Sequence, residues 1–170
     1  MYTVYQVFMM RERFLALVKS EQKNNIMKTK DKLKIYVVDD EVIYLNLFEQ
    51  LLLNEGYKDI TTFENGDDCI NNLQHNPDVI FLDYNMDNLS GYDVLKKIKR
   101  FDPNIYVVII SGQEDIKPAV NTLKHGAFDY IQKGDDVELK IPEVLSKVFK
   151  VSEAISNSRP GLLKKVFQFL

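Results

Sequence analysis

The chain has 170 residues, of which 45% are hydrophobic and 28% are charged, and its formal net charge is −3. This length and composition predict one globular domain with a sizeable core, and they exclude the disordered and fibrous classes. The single cysteine, Cys69, excludes a disulfide within the chain, and no stretch approaches the ~20 apolar residues that span a membrane.

Charge is distributed unevenly along the sequence. Residues 1–30 carry six Lys or Arg against two Asp or Glu, and residues 152–170 carry three against one. The net charge of residues 31–151 is therefore −9. This acidic middle argues against direct nucleic-acid binding, which needs clustered Lys and Arg. The apolar run at 14–18 is too short for a secretory signal, so we expect a cytoplasmic protein without membrane insertion.

Apolar runs of strand length alternate with segments of helical period through the middle of the chain. In chain order the predicted elements are a strand at 35–38, a helix from 42 to near 56, a strand at 59–63, a helix at 66–73, a strand at 79–82, a helix at 92–101, a strand at 106–110, a helix from near 115 to 126, a strand at 128–132 and a helix at 137–151. Five such units predict an α/β fold with a doubly wound parallel sheet and right-handed crossovers.

Prolines and apolar periodicity refine the predicted helices. Pro103 ends the third helix, and Pro118 falls in the first turns of the fourth, where a missing N–H costs little. Pro142 leaves two alternatives open for the last helix, which either starts near Ile141 or is kinked. The inward faces of the first two helices are predicted to hold Val42, Leu45, Leu47, Phe48, Leu51, Leu52, Cys69, Ile70 and Leu73.

The two ends of the chain lack the alternation of strands and helices predicted for its middle. Residues 1–30 carry a rough helical stripe of apolar side chains, and Met27 leaves open that translation begins there. A Pro-Gly break precedes the largely apolar residues 162–170. We predict an N-terminal extension at 1–30, a single domain at 31–151 and a C-terminal tail at 152–170, with no room for a further output domain after Val151.

Polar side chains stand at the ends of four of the predicted strands. Asp39 and Asp40 follow the first strand and Asp83 the third. Ser111 follows the fourth strand and Lys133 the fifth. The carboxyl ends of parallel strands meet at one edge of a sheet, so these groups should converge. Three carboxylates, a hydroxyl and an ammonium predict a site for a divalent cation, Mg²⁺, and a phosphoryl group.

Asp83 is the candidate nucleophile of this site. A carboxylate can accept a phosphoryl group to form a mixed anhydride, and the reaction then needs positioning and neutralisation of charge. Lys133 would supply a compact positive charge, and Ser111 could donate a hydrogen bond to a phosphoryl oxygen. Each residue has a plainer alternative: Asp40 and Ser111 could cap helices, and Lys133 could be a solvated loop cation.

Five motifs stand in order along the chain. They are Val37-Val38-Asp39-Asp40-Glu41, Phe81-Leu82-Asp83-Tyr84-Asn85-Met86 with Gly91, Ile110-Ser111-Gly112, Gly126-Ala127-Phe128-Asp129-Tyr130, and Lys133. Each is weak alone, but together they are specific. Over residues 33–151 the chain resembles the receiver domain of bacterial two-component response regulators, of which the single-domain chemotaxis regulator is the familiar form.

The resemblance implies a flavodoxin-like strand order 2-1-3-4-5 with helices on both faces. It implies that Asp83 accepts phosphate from a sensor histidine kinase or a phosphotransfer protein. Mg²⁺ would bind Asp40, Asp83 and the backbone carbonyl of Asn85, with Asp39 acting through water. Such a domain catalyses only its own phosphotransfer and dephosphorylation, so the resemblance does not imply an enzyme with a separate substrate.

The resemblance also implies a switch. Ser111 would move toward the phosphoryl group, and Tyr130 would turn inward into the vacated space, although Tyr130 read alone is an ordinary half-buried strand aromatic. A downstream protein target would bind the face formed by the fourth helix, fifth strand and fifth helix, or the phosphate would pass to another histidine protein.

Two residues depart from the family pattern. Asp87 stands where the family usually has proline, and its charge could tune Mg²⁺ affinity or autodephosphorylation. Gly134 follows Lys133 where the family usually has a cis-linked proline. A cis bond before a residue other than proline costs about 3 to 4 kcal/mol, which predicts a trans Lys133–Gly134 bond and altered switching.

The sequence leaves three other functions as alternatives. A phosphatase with an Asp nucleophile needs a second acid two residues later, where this chain has Asn85. A flavin mononucleotide binder needs a Ser/Thr-rich phosphate loop after Val38, which the sequence lacks. An adaptor receiver that is never phosphorylated would use only its surface.

Overall fold

A computed structural model of the chain describes residues 30–112, 116–134 and 136–158, and it describes no side chains at 116–118 and 156–158. Five strands form one parallel sheet in the order β2-β1-β3-β4-β5. The strands are β1 Lys34–Val38, β2 Asp59–Phe63, β3 Val79–Asp83, β4 Tyr106–Ser111 and β5 Asp129–Gln132. The predicted doubly wound sheet and its order 2-1-3-4-5 are confirmed.

Five helices connect or follow the strands. They are α1 Val42–Asn54, α2 Gly66–Asn71, α3 Gly91–Phe101, α4 Ile116–Lys124 and α5 Val137–Ser158. Helix α2 is shorter than predicted, because the chain tightens into a 3₁₀ turn at Leu73–His75 and then turns through the left-handed Asn76. Helix α5 starts at Val137 as predicted, contains Pro142 beyond its first turn and continues past residue 151, so the alternative start near Ile141 is wrong.

The helices cover both faces of the sheet, as predicted. One core cluster joins α1 and α5 to the sheet and includes Ile35, Val37, Phe48, Leu52, Phe81, Val108, Ile110, Ile141 and Leu145. The other joins α2 and α3 to the opposite face and includes Tyr36, Val38, Cys69, Ile80, Leu82, Val94, Leu95, Ile98 and Ile109. Alternate strand residues enter opposite clusters because successive side chains point to opposite faces of a sheet.

The buried face of α1 is narrower than the sequence predicts. Leu45, Phe48 and Leu52 are buried, whereas Val42 and Leu47 are 52% and 40% exposed. Leu47 follows Leu45 by two residues, which is about 200° around a helix, so both cannot face the sheet. Apolar composition predicted the helix correctly but overestimated how much of its surface the core covers.

Glycine ends two helices at the predicted places. Gly56 follows α1 with φ +91°, and Gly126 follows α4 with φ +95°. The left-handed conformation favours glycine and lets its N–H turn back to a carbonyl of the helix. The Gly56 N–H donates to the carbonyl of Leu53, and the Gly126 N–H donates to the carbonyl of Leu123. Within the described part of the chain, no helix is long and apolar enough to cross a membrane.

Cys69 should resist thiol reagents in the folded domain. Its side chain is fully buried in the cluster beneath α2 and α3, and burial raises the pKa of the thiol to about 12. Because the thiolate is the reactive species, we expect negligible labelling by a disulfide reagent at pH 8 and one equivalent after unfolding in guanidinium. Fast labelling of the native protein would contradict the packing described here.

Candidate functional site

The strand ends bring the predicted site residues to one edge of the sheet. Strands β1 and β3 are neighbours, so Asp39 and Asp40, which follow β1, lie beside Asp83 at the end of β3. Ser111 ends β4, and Lys133 follows β5. One carboxylate oxygen from each of the three aspartates lies within 4.8 Å of the others. The predicted convergence of these groups is therefore present in the fold.

The hydrogen-bond ladder of the sheet continues one residue past the strands into the site. The N–H of Asp39 donates to the carbonyl of Phe63 at 3.1 Å, and the N–H of Tyr84 donates to the carbonyl of Ile110 at 2.8 Å. On the far side, the N–H of Lys133 donates to the carbonyl of Ser111, also at 2.8 Å. The backbone that carries the site is thus fastened to the neighbouring strands.

The side chain of Lys133 points into the site, so Lys133 is not the solvated loop cation that the sequence left as an alternative. Its side chain is 8% exposed, and its Nζ lies 2.7 Å from Oδ2 of Asp39 and 2.8 Å from Oδ1 of Asp83. Burial favours loss of its proton, but the two carboxylates outweigh burial and raise the pKa of Lys133. Its bond to Gly134 is trans, as predicted.

Asp39 is the most buried carboxylate of the site. Its Oδ1 accepts a hydrogen bond from the N–H of Glu41 at 3.0 Å. Its buried Oδ2 has no hydrogen bond of good geometry to a described group and is balanced by the Lys133 ammonium alone. Burial raises the pKa of Asp39, although the ammonium and the Glu41 N–H oppose that shift. The carboxylate has unused capacity as an acceptor.

Asp40 does not cap α1, because the N-cap residue of that helix is Glu41, whose side chain makes no capping hydrogen bond. Instead, Oδ2 of Asp40 accepts a hydrogen bond from the N–H of Asp87 at 3.1 Å. Asp40 is half-buried and Asp87 is exposed. The departure at Asp87 therefore touches the site through its backbone.

The backbone after Asp83 folds tightly around the candidate nucleophile. The N–H of Asn85 donates to Oδ2 of Asp83 at 2.7 Å, and the N–H of Gly91 donates to the carbonyl of Tyr84 at 3.0 Å. A Cβ atom at Gly91 would overlap the carbonyl oxygen of Asp83 and would lie 2.8 Å from Cα of Tyr84. Glycine is needed at this position because α3 starts against the backbone of β3.

The two predicted switch residues lie on adjacent strands. Ser111 is fully buried as the last residue of β4, where it is paired with Gln132 of β5. Ser111 thus belongs to a strand, whereas the capping alternative would place it at the start of a helix. Tyr130 of β5 is half-buried against the cluster beneath α2 and α3. Their movement on phosphorylation stays a prediction.

The donor set fits a magnesium ion. Mg²⁺ prefers hard oxygen ligands and keeps several of its waters. Asp39, Asp40 and Asp83 offer clustered carboxylate oxygens, and Asp40 is the half-buried member of the three. Lys133 balances part of the negative charge but leaves an excess of carboxylates. A second positive charge at this edge would therefore be stabilised by Coulomb attraction.

Sequence reasoning missed two neighbours of Lys133. The ring centroid of Tyr44 lies 3.8 Å from the Lys133 Nζ, and Oε1 of Glu41 lies 3.9 Å from it. Tyr44 follows Asp40 by four residues and lies in the first turn of α1, near the carboxyl edge of the sheet where that helix begins. That spacing was the available signal, although it did not show that the ring would meet a lysine from β5.

This sheet order, with an acidic cluster and a buried lysine at its carboxyl edge, defines a flavodoxin-like signal-receiver domain. The family model of the response regulator receiver domain matches residues 35–141. The chain belongs to that family, and its predicted place in two-component signal transduction is confirmed.

Curated relatives support this membership. The DNA-binding transcriptional regulator NtrC of Salmonella typhimurium is 35% identical over 105 residues, which are 61% of this chain and 22% of that protein. The transcriptional regulatory protein CssR of Bacillus subtilis is 30% identical over 127 residues, which are 73% of this chain and 56% of that protein. The chain thus spans less than two thirds of the length of these relatives.

Solved structures share the fold. A receiver domain protein of Clostridium thermocellum matches with a TM-score of 0.67 and 28% identity, covering 72% of this chain and 98% of that one. The complex of CheX, CheY, BeF3 and magnesium from Borrelia burgdorferi matches with a TM-score of 0.64 and 28% identity, covering 69% of this chain and 89% of that one.

Proposed function

We propose that Asp83 accepts a phosphoryl group from a phosphohistidine on a sensor histidine kinase or a phosphotransfer protein. The observation that carries this proposal is the contact between Lys133 Nζ and Oδ1 of Asp83 at 2.8 Å, beside two further carboxylates. A carboxylate held against a buried ammonium can take on a phosphoryl group because the ammonium neutralises charge on the transferred oxygens.

The transfer balances with one proton from the solvent when phosphohistidine is the donor, and with none when acetyl phosphate is the donor. An Asp83 carboxylate oxygen forms the new bond to phosphorus while the bond between phosphorus and the donor atom breaks. The donor leaves with the bonding electron pair, as imidazole from phosphohistidine after it takes up a proton from water or as acetate from acetyl phosphate. Lys133 keeps its proton and follows the phosphoryl oxygens.

A magnesium ion would be held by the side chains of Asp40 and Asp83 and by the backbone carbonyl of Asn85, with Asp39 acting through water. The ion, when bound, supplies positive charge to the phosphoryl oxygens. The N–H of Asn85 orients Asp83, and the N–H of Asp87 orients Asp40. These two backbone bonds leave each carboxylate its other oxygen.

The signal would leave through protein contacts. Ser111 would donate to a phosphoryl oxygen and Tyr130 would turn inward, which alters the face formed by α4, β5 and α5. A downstream protein would bind that face, or the phosphate would be relayed onward, in the cytoplasm. We also propose that the domain spans residues 31–151, with an N-terminal extension at 1–30 and a C-terminal tail at 152–170.

Incubation with Mg²⁺ and acetyl phosphate tests the proposal directly. We expect a mass increase of about 80 Da, lost in Asp83→Asn and lost when EDTA removes the metal. Asp59→Asn is the matched control and should label like the wild type. Asp59 is an exposed carboxylate at the start of β2, at the edge of the sheet opposite the site.

The alternatives give different results in the same assay. Absence of an adduct with acetyl phosphate and with a phosphorylated phosphotransfer protein would contradict the proposal and favour an adaptor that is never phosphorylated. Continuous release of phosphate from an excess of an ester such as p-nitrophenyl phosphate would instead indicate a phosphatase.

A further inference from the structure

The ammonium of Lys133 is enclosed on several sides. The carboxylates of Asp39 and Asp83 form ion pairs with it at 2.7 and 2.8 Å, and the ring of Tyr44 covers it with the centroid 3.8 Å away. Glu41 is more distant at 3.9 Å and is exposed. An aromatic face attracts a cation through the quadrupole of the ring, and the attraction is stronger where water is excluded. The 8% exposure of the lysine meets that condition.

The ring of Tyr44 is itself held in place. Tyr44 lies in the first turn of α1, where its N–H donates to the carbonyl of Glu41 at 2.9 Å. Its half-buried side chain packs against the core cluster that joins α1 and α5 to the sheet. The ring is therefore a fixed surface, set by the helix and the core, against which a flexible side chain can rest.

The loop that carries Lys133 offers fewer restraints. Its N–H is fastened to the carbonyl of Ser111, but the next residue is the exposed Gly134. Among the described residues, a Cβ at Gly134 would have only Oδ1 of Asp136 within 4 Å, at 3.9 Å, and the N–H of Val137 donates to the carbonyl of Gly134 at 3.2 Å. Glycine also allows the widest range of backbone conformations. Contacts at the far end of the lysine side chain must then supply much of its positioning.

We propose that Tyr44 is a positioning residue that holds the Lys133 ammonium at the phosphoacceptor carboxylate. The inference rests on the proposed function of Asp83 and deepens it. When Asp83 becomes phosphorylated, Lys133 must leave Oδ1 and contact a phosphoryl oxygen. The ring of Tyr44 confines the ammonium during that exchange without competing for the phosphoryl group, because an aromatic face is a weaker partner than an anion.

A double-mutant cycle in the full chain tests this role. With Mg²⁺ and acetyl phosphate, Tyr44→Leu should label about fivefold more slowly than the wild type, whereas Tyr44→Phe, which keeps the ring, should stay within about twofold. In a Lys133→Met background, Tyr44→Leu should cause no further loss, because a residue that acts through the lysine has nothing left to position.

Urea unfolding provides the second readout, without metal or phosphate. The effects of Tyr44→Leu and Lys133→Met on the unfolding midpoint should be non-additive, which supports the contact directly. Additive effects in both assays, or an equal slowing by Tyr44→Phe and Tyr44→Leu, would overturn the inference. A wild type that takes no label would refute the function proposed for Asp83, and the coupling in urea would then decide the role of Tyr44 by itself.

Discussion

Replacing Gly91 by alanine is expected to lower the free energy of unfolding by about 3 kcal/mol or more. The added Cβ would overlap the carbonyl oxygen of Asp83 and crowd Cα of Tyr84, both of which are backbone atoms. A flexible side chain could move aside, but these atoms belong to β3 and its extension. The N–H of Tyr84 is bonded to Ile110, and the N–H of Gly91 is bonded back to Tyr84.

Urea denaturation followed by circular dichroism measures this effect, and Gly112→Ala is the matched control. Gly112 also lies at the carboxyl edge of the sheet, but a Cβ there would meet no atom of the described residues within 4 Å. Its unfolding midpoint should therefore stay close to that of the wild type. Equal stability of the two variants would show that α3 does not start in contact with the backbone of β3.

Replacing Lys133 by methionine is expected to slow labelling of Asp83 by acetyl phosphate about 100-fold. Methionine keeps most of the length of the side chain but removes the ammonium that lies within 2.8 Å of both Asp39 and Asp83. Charge on the transferred oxygens then loses a buried partner. Rates from intact-mass spectra at fixed Mg²⁺ concentration provide the measurement.

The same variant should gain more thermal stability from Mg²⁺ than the wild type does. Without the ammonium, the carboxylates at this edge repel each other more strongly, so a divalent cation binds them more tightly and stabilises the fold by mass action. The control is Lys140→Met, which removes from α5 the half-buried ion-pair partner of Asp136 and should change neither quantity. A slow variant with an unchanged or smaller gain from Mg²⁺ would indicate general damage to the site.

Much of the fold was predictable because its signals are local. The runs that became β1 and β3 are continuous and apolar, as expected of strands buried on both faces, and the polar residues after them mark the carboxyl edge. Asp83 and Lys133 meet because parallel strands end together. That inference needs only the sheet order and no side-chain detail.

The remaining features depend on contacts between distant segments. The end of α2 at Asn71 is set by a 3₁₀ turn leading to Asn76, and the nearest strong helix breaker, Pro77, lies six residues beyond that end. Tyr44 meets Lys133 only once the sheet has formed, because the two residues are 89 positions apart in the chain. The sequence identified Gly91 only as part of a family motif. The close approach of the β3 backbone, which leaves no room for a Cβ, explains why glycine stands there.

The continuation of the sheet's hydrogen-bond ladder past its strands has a consequence for local opening of the site. The N–H groups of Asp39, Tyr84 and Lys133 donate to carbonyls of neighbouring strands, so their exchange with solvent should require these strand pairs to open. The backbone at these three positions is thus held in the same way as the backbone of the core strands.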